Sequence, residues 1–278
     1  VQHAPVIGAA GLPEFLAALP YPLTGAQRRV VDEIAHDLAA GIPMNRLVQG
    51  DVGSGKTAVA AAAAYFAARS GLQTAFMAPT EILAEQHAKT LTALLEPLGI
   101  TVALLTGSMT AAQKRAVKAQ LTEGAAQIVV GTHALLTPDV AFSRLGLVIT
   151  DEQHRFGVAQ RARLTAKGES PHLLVMSATP IPRTLALIAY GELDVSVIDE
   201  LPPGRQKVDT FLVGEDYRAR IHAFVQKQCD LGGQVYIVCP AVEESELADL
   251  KSAEVWAETL QTAVFPRLRV GLLHGKMK

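Results

Sequence analysis

The chain has 278 residues, of which 49% are hydrophobic, 19% are charged and 5% are aromatic, a composition typical of a folded globular protein and not of a disordered one. Its 25 Lys and Arg residues against 27 Asp and Glu residues give a formal net charge of −2. This balance excludes a global electrostatic field that attracts nucleic acid, so any nucleic-acid site must be local.

The N-terminal region, residues 1–45, is predicted to be a lead-in with one amphipathic helix, "GAQRRVVDEIAHDLAAG", closed by Gly41. Its first residues lack a basic stretch and are interrupted by Pro5 and Pro13, which argues against a signal peptide. The sequence has no apolar window near the length of about eighteen residues that a membrane span needs.

From residue 46 onward, short apolar segments alternate with segments of helical spacing. The segments are mostly apolar, as expected for parallel strands covered by helices on both faces. The pattern predicts an α/β domain with a doubly wound parallel sheet. The predicted strands are "RLVQG", "QTAFMAP", "TVALLTG", "QIVVGT", "LGLVIT" and "HLLVMSAT", and the predicted helices between them are "KTAVAAAAAYFAARSG", "EILAEQHAKTLTALLEPLG" and "AAQKRAVKAQLTEG".

A break in the pattern follows "VSVIDELPPGRQK", where Pro202, Pro203 and Gly204 interrupt regular structure. We place the domain boundary there, with a first domain at 46–203 and a second at 204–278. The second domain has strand-like segments at 208–214, 233–242 and 269–275 and helices near 215–231 and 250–263. Three strands are too few for a complete sheet, so we expect an incomplete domain and an excerpt of a longer protein.

The cysteines of the chain are Cys229 and Cys239, too few for a disulfide framework or a zinc cluster. This usage favours a reducing cytosol. Cys239 lies within the apolar segment "QVYIVCP", so we expect it in the core.

A phosphate-binding loop is predicted at "GDVGSGKT", which matches G-x-x-x-x-G-K-[ST] and stands between a strand and a helix. Glycines let the backbone N–H groups wrap around phosphate, and the helix N-terminus favours anions. Lys56 is expected to reach the β and γ phosphates and Thr57 to ligate Mg²⁺. The alternative is a glycine-rich turn with a solvated lysine. The expected nucleotide-binding residues are Gly50, Asp51, Val52, Gly53, Ser54, Gly55, Lys56 and Thr57.

Two carboxylates, Asp151 and Glu152, end the strand "LGLVIT". We expect this strand to neighbour the one before the phosphate loop, so that both end at the same edge of the sheet. Asp151 would then hold Mg²⁺ through water, and Glu152 would orient and deprotonate the attacking water. A solvated turn is the alternative interpretation of such a pair.

Four strings, "GDVGSGKT", "DEQHRFG", "SATPIPRTLA" and "LPPGR", together resemble superfamily 2 helicases, and within them the RecG family of branch-migration DNA helicases. The resemblance runs from about Leu23 to Lys278. It implies two RecA-like units, the first an ATP-binding domain and the second incomplete. The transcription-repair coupling factor, a double-stranded DNA translocase, shares much of the pattern.

The resemblance implies further roles near the nucleotide. Gln27 would read the adenine edge, with a surface glutamine as the alternative, and Tyr21 would stack on the base or simply pack. Gln153 and His154 would sense the γ-phosphate. The residues that would couple hydrolysis to DNA movement are Ser177, Ala178 and Thr179, of which Thr179 also resembles a helix start.

The resemblance also places DNA-phosphate contacts in three loops on the far surface of the sheet. Hydroxyl side chains and backbone N–H groups at helix starts bind phosphate without reading sequence. Capping is the alternative for the "TGSMT" loop, because Thr110 and Gln113 form a capping-box pattern. The expected contacts are Pro79, Thr80, Glu81, Gly107, Ser108, Gly131, Thr132 and His133, and Arg155, Arg161 and Arg163 form either an additional basic patch or a solvated face.

The function implied by the resemblance is an ATP- and Mg²⁺-dependent helicase or translocase that remodels branched or duplex DNA. Replication fork reversal and Holliday junction branch migration are the expected reactions. The expected protein is monomeric, cytoplasmic and associated with a bacterial nucleoid. The chain lacks the family's wedge domain and later arginine, and Arg205 does not match that arginine, so we expect this excerpt to bind Mg-ATP but to hydrolyse it poorly. A nucleotide-gated binding module and a phosphate-loop kinase remain as alternatives.

Overall fold

The computed structural model describes residues 3–151, 158–178, 193–200, 208–239, 246–274 and 277. The chain divides into two compact units, Val1–Gln206 and Lys207–Lys278. The described part of the chain contains no helix long and apolar enough to cross a membrane.

The first unit is built on a parallel sheet of seven strands among the described residues, in the order β3-β4-β2-β5-β6-β1-β7. The six strands predicted from continuous apolar runs are all present. The fold is the RecA-like, doubly wound α/β arrangement that the pattern indicates. The strands are β1 Asn45–Gly50, β2 Gln73–Met77, β3 Val102–Leu105, β4 Ile128–Gly131, β5 Leu145–Thr150, β6 His172–Ser177 and β7 Asp194–Ile198.

Helices cover both faces of this sheet. Alternate residues along a strand point to opposite faces, so Phe76 joins the core beneath α2, α3 and α4 while Ala75 and Met77 join the core beneath α5 and α6. The helices are α1 Leu12–Ala18, α2 Gly25–Ala39, α3 Lys56–Arg69, α4 Glu81–Leu95, α5 Ala111–Glu123 and α6 Val158–Thr165, with short 3-10 turns at Glu96–Leu98 and His133–Leu136.

The lead-in packs onto the first unit. Ile7 and Phe15 are fully buried in the same core as α3, and the Phe15 ring stacks on Tyr65. The buried His172 ring accepts a hydrogen bond from the Met44 N–H at Nδ1 and donates one from Nε2 to the Pro5 carbonyl. These contacts attach the first residues of the chain to the start of β6.

Strand β7 is not among the predicted strands. It lies at the sheet edge beside β1, and its exposed Asp194 and buried Ser196 break the continuous apolar pattern by which the other strands were predicted. Ser196 is buried because it is hydrogen-bonded to Arg46 and Glu33. An edge strand of this kind has a period of two and polar inward positions, so apolar runs do not reveal it.

The second unit contains the two predicted helices, α7 Arg218–Asp230 and α8 Glu246–Thr259. Helix α8 continues as a π-helical turn, Leu260–Val264. Its small core is formed by Val225, Leu260 and Phe265.

The predicted strands of this unit were wrong where the structure describes them, at 208–214, 233–239 and 269–274, which contain no strand. Apolar runs form strands only with a neighbour that satisfies their backbone groups. Leu212 and Tyr236 are exposed instead, as is Cys239, which corrects its expected place in the core.

Candidate functional site

The carboxyl ends of the first unit's strands meet at one edge of the sheet because all the strand pairs are parallel. The phosphate loop follows β1, Asp151 follows β5 and Ser177 ends β6, so the residues expected to act at the nucleotide occupy one half of this edge. The loops expected to contact DNA follow β2, β3 and β4 and occupy the other half. Their expected place on the far surface of the sheet was therefore wrong, since connections after parallel strands emerge at the same edge.

The strand before the phosphate loop does not neighbour the strand that ends at Asp151. Strand β6 lies between β1 and β5, with Leu47 opposite Val175 and Val175 opposite Thr150. Two strand spacings separate β1 from β5 by about 10 Å. This corrects the predicted adjacency.

The phosphate loop has the backbone shape that its glycines permit. Gly53 and Gly55 have φ angles of +80° and +85°, in the left-handed region that side chains disfavour. The Lys56 ammonium folds back into the loop and donates to the Gly50 carbonyl at 2.5 Å and the Asp51 carbonyl at 3.0 Å. The loop thus encloses the Lys56 ammonium at the N-terminus of α3, a position where a bound anion is favoured.

Gln27 is buried against the phosphate loop, with 4% of its surface exposed. Its Nε2 donates to the Ser54 carbonyl at 2.7 Å, and its Oε1 accepts from the Thr24 N–H at 2.9 Å. The Thr24 hydroxyl accepts from the Gln27 N–H, which completes a capping box at the start of α2. The Gln27 amide has a second N–H and a second lone pair besides those used in these two bonds, and an adenine edge would pair with them. Adenine recognition by Gln27 therefore stays a prediction. Tyr21 is 70% exposed.

The start of α2 is also held by residues that follow β7. The Ala26 N–H donates to the Glu200 carboxylate at 3.1 Å, and Arg29 pairs with Asp199. A cavity of about 190 Å³ lies between these residues and the phosphate loop and is lined by Gly50, Asp51, Ala178, Ile198, Asp199 and Glu200.

Asp151 is 7% exposed and lies directly beyond β5. Its N–H donates to the Met77 carbonyl, so the backbone continues the ladder with β2. Its Oδ2 lies 2.7 Å from Nε2 of His87, a residue of α4 that sequence reasoning missed. A signal was present, because His87 is a polar residue within the buried stripe of Ala84, Ala88 and Leu91.

Several predicted site residues lie outside the described residues: Glu152, Gln153, His154 and Thr179, and also Arg155 of the basic patch. Ser177 is buried at the end of β6 and Ala178 is half-buried beside it. Arg163 donates to the Leu136 carbonyl at 3.4 Å.

The loops after β2 and β3 are joined by Glu81. Its carboxylate accepts a hydrogen bond from the Ser108 N–H at 2.9 Å, and hydrogen bonds from Ser108 hold the pKa of Glu81 below its ordinary value. Lys114 donates to the Gly107 carbonyl from the other side. A carboxylate has no hydrogen to donate to a phosphate, so the Glu81 side chain is not itself expected to bind one. Its hydrogen bond to the Ser108 N–H instead organises the "TGS" loop.

Two threonine hydroxyls in the loops expected to contact DNA, those of Thr80 and Thr110, serve as helix caps. The Thr80 hydroxyl accepts from the Leu83 N–H at 3.3 Å, and Pro79 precedes it, half-buried. The predicted capping box of Thr110 and Gln113 is confirmed. Gly107 and Ser108 are exposed.

The loop after β4 is packed more tightly. A Cβ on Gly131 would lie 2.4 Å from the Leu105 carbonyl, so only glycine fits there. Thr132 is 2% exposed and its hydroxyl has no hydrogen-bond partner among the described residues. His133 is exposed and is the side chain of this loop that can reach a ligand.

Oxygen ligands for Mg²⁺ are available from the Thr57 hydroxyl and the Asp151 carboxylate. Within the described part of the chain, no group of three or more His, Cys, Asp or Glu side chains could hold a metal by itself. This donor set suits Mg²⁺, which is usually bound by one or two protein oxygens together with substrate phosphates.

The comparisons with known proteins agree with the RecA-like fold of the first unit. Residues 24–188 match the family model described as DEAD/DEAH box helicase. Two curated relatives, the ATP-dependent DNA helicases RecG of Synechocystis sp. and Bacillus subtilis, are each 52% identical over 96% of the chain. The chain spans 32% and 39% of their lengths, or about a third.

A solved structure described as RecG bound to a three-way DNA junction is 45% identical and superposes with a TM-score of 0.80. The match covers 95% of this chain and 34% of that one. The similarity therefore extends through nearly all of the chain and is carried by both sequence and fold.

Proposed function

The chain belongs to the DEAD/DEAH box helicase family, and from that premise we propose that it is the ATP-binding motor portion of an ATP-dependent DNA helicase of the RecG type. The observation that carries the proposal is the division of one sheet edge into two halves. The phosphate loop and Asp151 lie on the β1 side, and the loops at Glu81 and Ser108 lie on the β2 and β3 side.

ATP would bind at the phosphate loop. The Lys56 ammonium exchanges its two loop carbonyls for the β and γ phosphates, while the loop N–H groups and the α3 N-terminus bind the anion. Thr57 and Asp151 would hold Mg²⁺, which would neutralise phosphate charge when bound. Glu152 orients and deprotonates the attacking water, and Gln153 and His154 sense the γ-phosphate.

Strand β6 would connect the phosphate loop to Asp151 within the nucleotide half of the edge. It lies between the strand of the phosphate loop and the strand of Asp151, and it ends at Ser177, the first residue of the proposed coupling group that continues through Ala178 and Thr179. The exposed Gly107 and the Ser108 hydroxyl would contact a DNA phosphate, together with His133 after the neighbouring strand β4. Glu81 would hold that loop in place.

The proposed division of labour along the chain is a lead-in at 1–45 that carries Gln27, a first RecA-like ATP-binding domain at 46–203, and the beginning of a second RecA-like domain at 204–278. The similar proteins are named ATP-dependent DNA helicases, and one is described on a three-way junction. We infer that the whole protein acts as a monomer on branched DNA in a bacterial cytoplasm, by fork reversal and branch migration.

The test is ATP turnover by the full-length protein with no DNA, linear duplex and a three-way junction. We expect the junction to stimulate turnover most, whereas equal stimulation by linear duplex would favour a double-stranded DNA translocase. Glu152→Gln is expected to abolish turnover and retain ATP binding, and Lys56→Ala to weaken binding itself. Small-molecule phosphorylation without any DNA dependence would refute the proposal.

The isolated chain of 278 residues is expected to bind Mg-ATP and to hydrolyse it slowly. An arginine supplied to the γ-phosphate contributes roughly 10³–10⁵ in rate in related phosphoryl transfer, and Arg205 is not proposed for that role. DNA-stimulated turnover by the isolated chain at the full-length rate would contradict this expectation.

A further inference from the structure

His87 and Asp151 form a buried contact between a helix and the end of a strand. Nε2 of His87 lies 2.7 Å from Oδ2 of Asp151, and the two side chains are 12% and 11% exposed. A carboxylate only accepts hydrogen bonds, so Nε2 of the imidazole carries the hydrogen. The proposed function assigns Asp151 to Mg²⁺ but gives no role to His87.

The sequence places these two groups together through the periods of a helix and a strand. Along β5, Leu147 and Ile149 point to the core beneath α4, and Asp151 continues that alternation to the same face. Along α4, His87 lies on the buried stripe with Ala84 and Ala88. Both therefore face the same layer, one from the sheet and one from the helix.

The His87 ring is held from a second side. It lies 4.7 Å from the Phe76 ring of β2, centroid to centroid, at an interplanar angle of 41°. Because β2 pairs with β5, the strand that carries Phe76 is also the strand beside Asp151. The imidazole is thus packed on one strand and hydrogen-bonded to the end of its neighbour, which limits the rotation of both side chains.

We propose that His87 is a positioning residue that orients the Asp151 carboxylate toward the magnesium ion of bound nucleotide. The inference rests on the proposed function of Asp151. Metal ligands are oriented by hydrogen bonds from groups behind them, and loss of such a partner costs about 10–100-fold in metal affinity or activity. A carboxylate whose Oδ2 is hydrogen-bonded to His87 samples fewer orientations, so it loses less conformational entropy when a metal binds.

The experiment measures the affinity of the full-length protein for a fluorescent ATP analogue, in EDTA and across a Mg²⁺ titration. His87→Ala removes the donor, and His87→Gln restores an amide N–H near the position of Nε2. Gln86→Ala is the matched control, because Gln86 is the exposed neighbour on the same helix. Thermal denaturation of all variants is recorded in parallel.

For His87→Ala we expect the Mg²⁺ concentration at half-saturation to rise about 10–100-fold, with nucleotide affinity in EDTA unchanged. His87→Gln recovers most of that loss, and Gln86→Ala matches the wild type. A Mg²⁺ dependence unaltered in His87→Ala overturns the inference, even if the variant is less stable. Failure of Mg²⁺ to affect nucleotide binding in the wild type instead overturns the metal role of Asp151, and the inference with it.

Discussion

The contact between Gln27 and the phosphate loop leads to a sharp prediction for Gly55→Ala. Gly55 has a φ angle of +85°, and an added Cβ would lie 2.1 Å from Nε2 of Gln27. The substitution therefore has two separate costs. A residue with a side chain must adopt a left-handed backbone conformation, and its Cβ overlaps the buried amide of Gln27. Gln27 must move away, and it then loses its hydrogen bond to the Ser54 carbonyl.

The magnitudes of the two penalties can be worked out separately. A side chain in the left-handed region costs roughly 1–2 kcal/mol. Loss of the hydrogen bond between Gln27 and Ser54 adds about 0.5–1.5 kcal/mol, since such a bond contributes about that much net stability. We therefore expect Gly55→Ala to lower the free energy of unfolding by roughly 1.5–3.5 kcal/mol.

Gly99→Ala is the matched control for the backbone penalty. Gly99 has a φ angle of +78° in the same unit, and a Cβ there would meet nothing within 4 Å. The assay is urea denaturation of the two variants, with Gln27→Ala and the double variant Gly55→Ala/Gln27→Ala completing a cycle. The double variant should be less destabilised than the sum of the two single variants.

The result that refutes this reasoning is equal destabilisation by Gly55→Ala and Gly99→Ala together with additive behaviour in the cycle. Gln27 would then not occupy the space behind Gly55 in solution. Weaker ATP binding by Gly55→Ala but not by Gly99→Ala would support the link between this contact and the phosphate loop.

Two further predictions concern titration and loop geometry. Burial lowers the pKa of His172 below its ordinary value of 6.5, so the unfolded chain takes up the proton first; the stability from this group is complete above pH 6.5 and declines as the pH falls. Urea denaturation midpoints measured on both sides of that pH should fall less steeply for His172→Gln than for the wild type, and parallel profiles would contradict the assignment. Glu81→Ala should lower the stimulation of ATP turnover by DNA more than Glu81→Gln does, because an amide oxygen still accepts from the Ser108 N–H; equal losses would mean that charge, and not the hydrogen bond, holds the loop.

The sequence predicted well wherever the determinant was local. Continuous apolar runs identified six strands because a strand covered on both faces is mostly apolar. The match from Gly50 to Thr57 predicted a loop between a strand and a helix because the glycines and the helix start are neighbours in the chain. Prediction was poorer for β7, where the inward Ser196 is buried by its hydrogen bonds to Arg46 and Glu33.

The apolar segments of the second unit show the opposite error. Their patterns match those of the first unit, yet 208–214 and 233–239 form no strand. A strand is completed by the hydrogen bonds of a neighbour, and no pattern within one segment shows whether that neighbour is there.

By itself, the sequence determined which residues form the phosphate loop, which strand ends in Asp151 and where the helices after β1, β2 and β3 lie, because these depend on residues close together in the chain. Only the tertiary structure decided that β6 separates β1 from β5 and that His87 reaches Asp151 from α4. Strand order and helix placement arise from packing between segments distant in sequence, and spacing along one segment contains no record of them.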